Sequence, residues 1–255
     1  KGDTSGWDAI VNASLLKHFR VGVLDHSDKT RTRREEYKET VVKTQMIGEV
    51  LIEINPDRVL MSHGIYSSWG PQRSLLNDAG IPVVTFDKCK KRDAVKFDWT
   101  IGSDWWDISK EWEIVRDRPL DEKQMERIDG YLASRRDHSS DTLKYNFGSL
   151  ESKTNTFKRL DLNENKKTFI AFTNVLWDAA STDREIVFEN PIAWIIETIE
   201  WFRTRQEIQL VVKIHPAEVV IGTSQPFASI IKEEIPELPS NVRIIEPHEK
   251  VNSWS

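Results

Sequence analysis

The chain has 255 residues, 38% apolar and 30% charged, enough for one large or two ordinary α/β domains with a real core. Its formal charge of −5 gives no whole-protein reason to expect a nucleic-acid partner. No apolar run approaches the ~20 residues that cross a bilayer, the opening residues lack the apolar segment of a signal peptide, and a single cysteine, Cys89, excludes an internal disulfide and fits a reducing cytoplasm.

Residues 1–20 carry a short helical pattern in Trp7, Ile10, Val11, Leu15 and Phe19, with no strand before it. An α/β domain ordinarily opens on a strand, so the sequence is expected to begin inside a domain. Residues 25–36 read as a polar loop running into a helix. From about 34 to 54 the spacing is helical, with Tyr37, Val41, Met46 or Ile47, Val50, Leu51 and Ile54 recurring at spacings of three and four and Pro56 as the stop. Residues 58–62 read as a buried strand, 72–79 as a short helix capped by Gly80, and 81–86 as the next strand. This α–β–α–β order predicts a parallel sheet with crossover helices. Residues 87–106 read as irregular, with Trp99, Trp105 and Trp106 close together, and two helices follow at 108–116 and 121–136.

Residues 137–165 are polar with little periodicity and mark the boundary. The expected domains are 1–145 and 166–255, joined by a linker at 146–165. The second half predicts strands at 168–173, 208–215 and 242–245. It also predicts a helix opened by Asn190 and Pro191, and another at 227–235. The run at 208–214 is continuously apolar and β-branched, as a central parallel strand would be. Pro216 ends it and leaves His215 at a strand's carboxyl end, where open α/β sheets bind ligands.

Three strand ends carry unusual polar residues. His215 fits either an imidazole that donates to a phosphate or sugar carboxylate, or a histidine bonded to a nearby backbone carbonyl; spacing does not choose. Lys213 would add a point charge for an anion, and Glu218 could accept from ribose or base groups. His63, followed by Gly64, fits a general base for an acceptor hydroxyl or a buried histidine ordering its own loop. Tyr66, Ser67 and Trp69 suit sugar binding or loop packing. Thr173, Asn174 and Asp178 lie in the loop where an α/β half brings a phosphate close. Asp104 and Asp107 fit a metal site or, better, a solvated loop. The sequence has no glycine-rich dinucleotide fingerprint, P-loop, GxSxG, HExxH or CxxC, which argues against those enzyme and zinc classes.

Three stretches, 62–70 (SHGIYSSWG), 172–180 (FTNVLWDAA) and 213–218 (KIHPAE), together resemble bacterial surface-polysaccharide glycosyltransferases, in particular the capsule polysaccharide biosynthesis group. The His-Pro pair is also similar to those of Kdo transferases, sialyltransferases and teichoic-acid glycerophosphotransferases. The resemblance implies a GT-B fold, two Rossmann-like domains facing a cleft. It implies sugar transfer from a nucleotide-sugar donor, a cytidine nucleotide favoured, to a capsule or lipopolysaccharide glycan.

By that likeness His215, Pro216, Lys213, Glu218, Thr173, Asn174 and Asp178 line the donor, and His63 is the acceptor-side base. Tyr66, Ser67 and Trp69 then touch the acceptor. No metal or further cofactor is implied. A cytoplasmic enzyme is implied, working at the inner face of the membrane by peripheral association. Such enzymes continue beyond the position of Ser255 into another strand and a Ser/Thr-rich loop, so both domains are expected to be partial. A nucleotide-sugar epimerase of the same build and a non-catalytic nucleotide- or glycan-binding module are the alternatives.

Overall fold

The computed structural model describes residues 5–88, 94–99, 108–137, 151–178 and 187–251. The fold is mixed α/β with two small open sheets, each of three strands. The described residues fall into two compact units, one formed by 5–7 and 38–137, the other by 8–37 and 151–251. None of the described helices is long and apolar enough to cross a membrane.

In the first unit, helix α2 (Asp28–Ile54) contributes its portion from residue 38 onward and is followed by β1 (Val59–Ser62), α3 (Gly70–Asp78) and β2 (Val83–Lys88). Asn55 ends α2 in the left-handed region (φ 50°), its N–H donating to Leu51 O, one residue before the proline stop. Gly80, at φ 74°, turns the chain out of α3 while Ile81 N–H reaches back to Leu76 O. β1 and β2 pair in parallel, Val59 opposite Val83, and bury Met61, Val83, Ile81 and Leu76 against Leu51 and Ile52 of α2.

The sheet is not wholly parallel. Residues 87–106 were expected to be irregular, yet β3 (Val95–Asp98) pairs antiparallel with β2, Phe97 opposite Phe86. The strand obeys the period of two, but inverted. Lys96 and Asp98 form an ion pair at 3.5 Å on the covered face, while Val95 and Phe97 stay exposed. Two helices follow, α4 (Ser109–Val115) and α5 (Glu122–Asp137). The aspartates 104 and 107, with Trp105 and Trp106, lie outside the described residues, as do Cys89 and 138–150.

In the second unit, β4 (Lys167–Phe172), β5 (Ile208–Lys213) and β6 (Val242–Ile245) form the predicted parallel sheet, with β5 central. Helices α7 (Pro191–Arg203) and α9 (Phe227–Glu234) cover one face. Ile195, Ile199, Phe202, Phe227 and Ile231 meet Leu210, Val212, Ile214 and Val242 there, all buried. α7 begins where Asn190 and Pro191 predict: Asn190 Oδ1 accepts from Ile192 N at 2.9 Å and Ala193 N at 2.8 Å.

Two stretches group differently from the expected domains when the chain is divided by its contacts. The described part of the 146–165 linker is a folded piece of this unit: α6 (Lys153–Arg159), capped by Ser152, lies on the other face of the sheet. Leu160 is buried there with Val211, Ile245 and Val251, and Arg159 pairs with Glu151 and Glu249. Residues 8–37, expected in the N-terminal domain, also belong here. α1 (Asp8–Phe19) leads into a turn held by the remote residues 224 and 225. Gln225 Oε1 accepts from Gly22 N and Val23 N, and its Nε2 donates to Val23 O. Ser224 N donates to Arg20 O, and Ser224 Oγ to Phe19 O.

Candidate functional site

In the second unit the site is built on the carboxyl ends of β4 and β5. His215 is half-buried two residues past β5 and held at two points. Its backbone N–H donates to Thr173 Oγ1 at 3.0 Å, and its ring Nδ1 accepts from Ala217 N–H at 3.1 Å. Thr173 is itself buried, and its N–H donates to Lys213 O, so the two strand ends are tied together. An Nδ1 that accepts fixes the neutral tautomer with its proton on Nε2. Burial pushes the His215 pKa below the ordinary histidine value; Asp178 raises it and Lys213 lowers it further. At neutral pH the ring is therefore a neutral donor through Nε2. Pro216 caps α8 (Ala217–Val220), a single turn that begins directly after the histidine.

The neighbouring residues divide. Asn174 is exposed and Asp178 half-buried, close enough for its charge to act on His215. Trp177, which sequence reading did not single out for binding, has a buried indole Nε1 without a hydrogen-bond partner. The only signal for it in the sequence was a tryptophan in a strand-end loop. Glu218 was expected to accept from a ligand. It is 6% exposed, and its carboxylate accepts from Phe227 N–H, at 3.2 Å to Oε2, at the start of α9. Burial raises its pKa, the Phe227 N–H opposes this, and Glu246 adds to the rise. Lys213 was expected beside the donor. Its register partners are Phe172 and Ile245, so it projects onto the α6 face of the sheet, where it is 6% exposed.

In the first unit, His63 repeats the same local device. Ile65 N–H approaches its Nδ1 at 3.4 Å, and Tyr66 packs edge-on against the ring, centroids 5.2 Å apart. Gly64 sits at φ 70°, and a Cβ there would meet Arg73 Cδ at 2.5 Å, so only glycine fits this turn. Arg73 Nη1 donates to Gly64 O. Of the expected acceptor residues, Tyr66 is half-buried. Ser67 is 1% exposed, with its carbonyl accepting from Thr44 Oγ1, and Trp69 packs on the core of its unit while leading into α3. Ser67 therefore supports the loop rather than lining its surface.

No protein-family model matches the chain, and a search of curated proteins found no match. The functional reading therefore rests on these residues. Among the described residues no group of three or more His, Cys, Asp or Glu could hold a metal ion.

Proposed function

We propose that the chain is a glycosyltransferase that moves a sugar from a nucleotide-sugar donor, a cytidine nucleotide favoured, to a surface-glycan acceptor. The proposal includes a GT-B build, two Rossmann-like halves facing one another across a cleft. The observation that supports it is the His215 ring, oriented at the carboxyl end of the central parallel strand by Thr173 Oγ1 and Ala217 N–H. Such an imidazole donates from Nε2 to a phosphate oxygen without needing a charge of its own.

In the transfer, the acceptor hydroxyl oxygen bonds to the anomeric carbon. The bond from that carbon to the nucleotide phosphate breaks, and the phosphate oxygen keeps the electron pair. The hydroxyl proton passes to a base. His215 and Asn174 stabilise the departing phosphate, with the Trp177 N–H as a further donor. Asp178 sets the charge around His215. Thr173, Pro216 and Glu218 hold the loop, and Lys213 acts on it through its field rather than by contact. His63 is the acceptor-side base, with Tyr66 and Trp69 beside it; its Nδ1 contact, 3.4 Å long, is weak enough to exchange for an acceptor hydroxyl.

Calorimetry with CMP, CDP, UDP and GDP, followed by product analysis, tests the proposal. Binding of at least one nucleotide and glycan extension only when acceptor is added are expected. Binding of none removes the donor site, and release of a free epimerised sugar makes the protein an epimerase. One observation favours a second reading, a nucleotide- or glycan-binding module without catalysis: the Ile65 N–H engages the very lone pair that a base at His63 would use. In that case nucleotide binds and His63→Gln changes nothing measurable.

A further inference from the structure

One turn touches both loops that build the His215 site. Residues 20–23 lie against the loop that carries Asp178 and against the segment that follows His215, all within the second unit. On the first side, a Cβ at Gly22 would stand 2.8 Å from Leu176 Cβ and 2.9 Å from Leu176 Cδ1. Gly22 does not have the left-handed backbone of Gly64, Gly80 or Gly222, so this close approach is what the missing side chain serves. Leu176 is 8% exposed and packed into the core with α7 and α9, which leaves it little room to yield. Asp178 N–H donates to Val175 O at 3.2 Å, closing a turn around Leu176 that ties Asp178 to it.

On the second side, Gln225 clasps the turn. Its Oε1 accepts from Gly22 N–H at 2.8 Å and Val23 N–H at 3.1 Å, and its Nε2 donates to Val23 O at 3.1 Å. Thr223 Oγ1 and Ser224 N–H donate to Arg20 O at 2.9 and 3.0 Å. Arg20 Nη1 donates to Ile221 O, just past α8. The turn therefore bridges the Asp178 loop and the His215 segment, and the two cannot shift apart without disturbing it.

We propose that the 20–23 turn is a positioning element of the site: through Gly22 against Leu176, and Gln225 against the backbone of 22 and 23, it sets the separation of the Asp178 carboxylate from the His215 ring. Gly22 and Gln225 touch no ligand; they act through Asp178 and His215. The proposal deepens the donor reading and rests on it for the nucleotide measurement alone, because the titration of the ring needs no ligand.

The charged groups that act on the ring are Asp178, which raises its pKa, and Lys213, which lowers it. NMR titration of the His215 imidazole in the full chain, assigned as the signal missing from His215→Ala, reads their balance. Asp178→Asn should lower the midpoint by about 0.3 or more. Gly22→Ala has to displace Leu176, and Asp178 with it, and should lower the midpoint by about half as much or more. In the Asp178→Asn background the same substitution should add nothing, since its route to the ring is gone. Gln225→Ala cuts hydrogen bonds near the surface, should act in the same direction, and carries the test if Gly22→Ala does not fold. In calorimetry both variants should lose preference for CMP over cytidine by about threefold or more while keeping their affinity for cytidine. An unchanged or raised midpoint in the folded variants, an equal shift in the Asp178→Asn background, or an unchanged CMP preference overturns the proposal. A lowered midpoint with no nucleotide bound by any of the proteins supports the positioning role and removes the donor reading instead.

Discussion

Burial acts in opposite directions on the two ionisable side chains that follow β5, because it disfavours whichever form is charged. His215 is held neutral, its pKa lowered chiefly by burial, whereas the Glu218 carboxyl is pushed up by burial. The consequences for stability follow from linkage. His215 contributes stability that is present above about pH 6.5 and lost as pH falls through its depressed folded value. Glu218 works the other way: its contribution is present below the ordinary carboxyl value and lost as pH rises through its raised one. Glu218→Gln keeps an acceptor for Phe227 N–H and removes the buried charge. Its melting temperature at pH 7 should equal or exceed that of the native protein. Glu218→Ala leaves that N–H unsatisfied and should cost about 1–3 kcal/mol. Thermal melting from pH 4 to pH 7 checks both, and a destabilised Glu218→Gln protein would contradict the structural role. Sequence reading found the histidine because a proline breaks a β-branched run beside it. The direction of Lys213 was hidden, because it depends on which face of the sheet α6 covers.

Elements whose signals are local were legible. β5 announced itself by its continuous apolar run, and α7 by Asn190 and Pro191 ahead of a wide apolar stripe. Replacing Asn190 by Ala removes the acceptor for two backbone N–H groups and should destabilise the protein by about 1 kcal/mol in denaturant unfolding. Asn190→Asp should retain most of it; no loss in the alanine variant would show that the cap is immaterial. The elements that were missed are short or polar. β3 is four residues long, with its charges on the covered face, the reverse of the usual alternation. α6 lay within a polar stretch. Its burial comes from Thr156 and Leu160 and from the contacts of Arg159 and Glu151 with the 246–251 turn, some ninety residues on.

At the scale of the molecule, two α/β units were anticipated, but not the assignment of residues 8–37 to the second. No periodicity could reveal it, since the fastening is made of polar hydrogen bonds, Gln225 to backbone at residues 22 and 23 and Ser224 to backbone at residues 19 and 20. Two strand–histidine–loop devices, one in each unit, are what the transferase proposal draws on: His63 after β1 and His215 after β5, each with Nδ1 facing the N–H two residues ahead. The claim on which that proposal turns is that His215 holds the donor phosphate. The direct measurement is the affinity of CMP relative to cytidine, by calorimetry, in the native protein and in His215→Ala. The native protein should prefer CMP by about tenfold or more, as a hydrogen bond to a charged group allows, and the variant should lose that preference while keeping its affinity for cytidine. An unchanged CMP-to-cytidine ratio in His215→Ala would contradict the account.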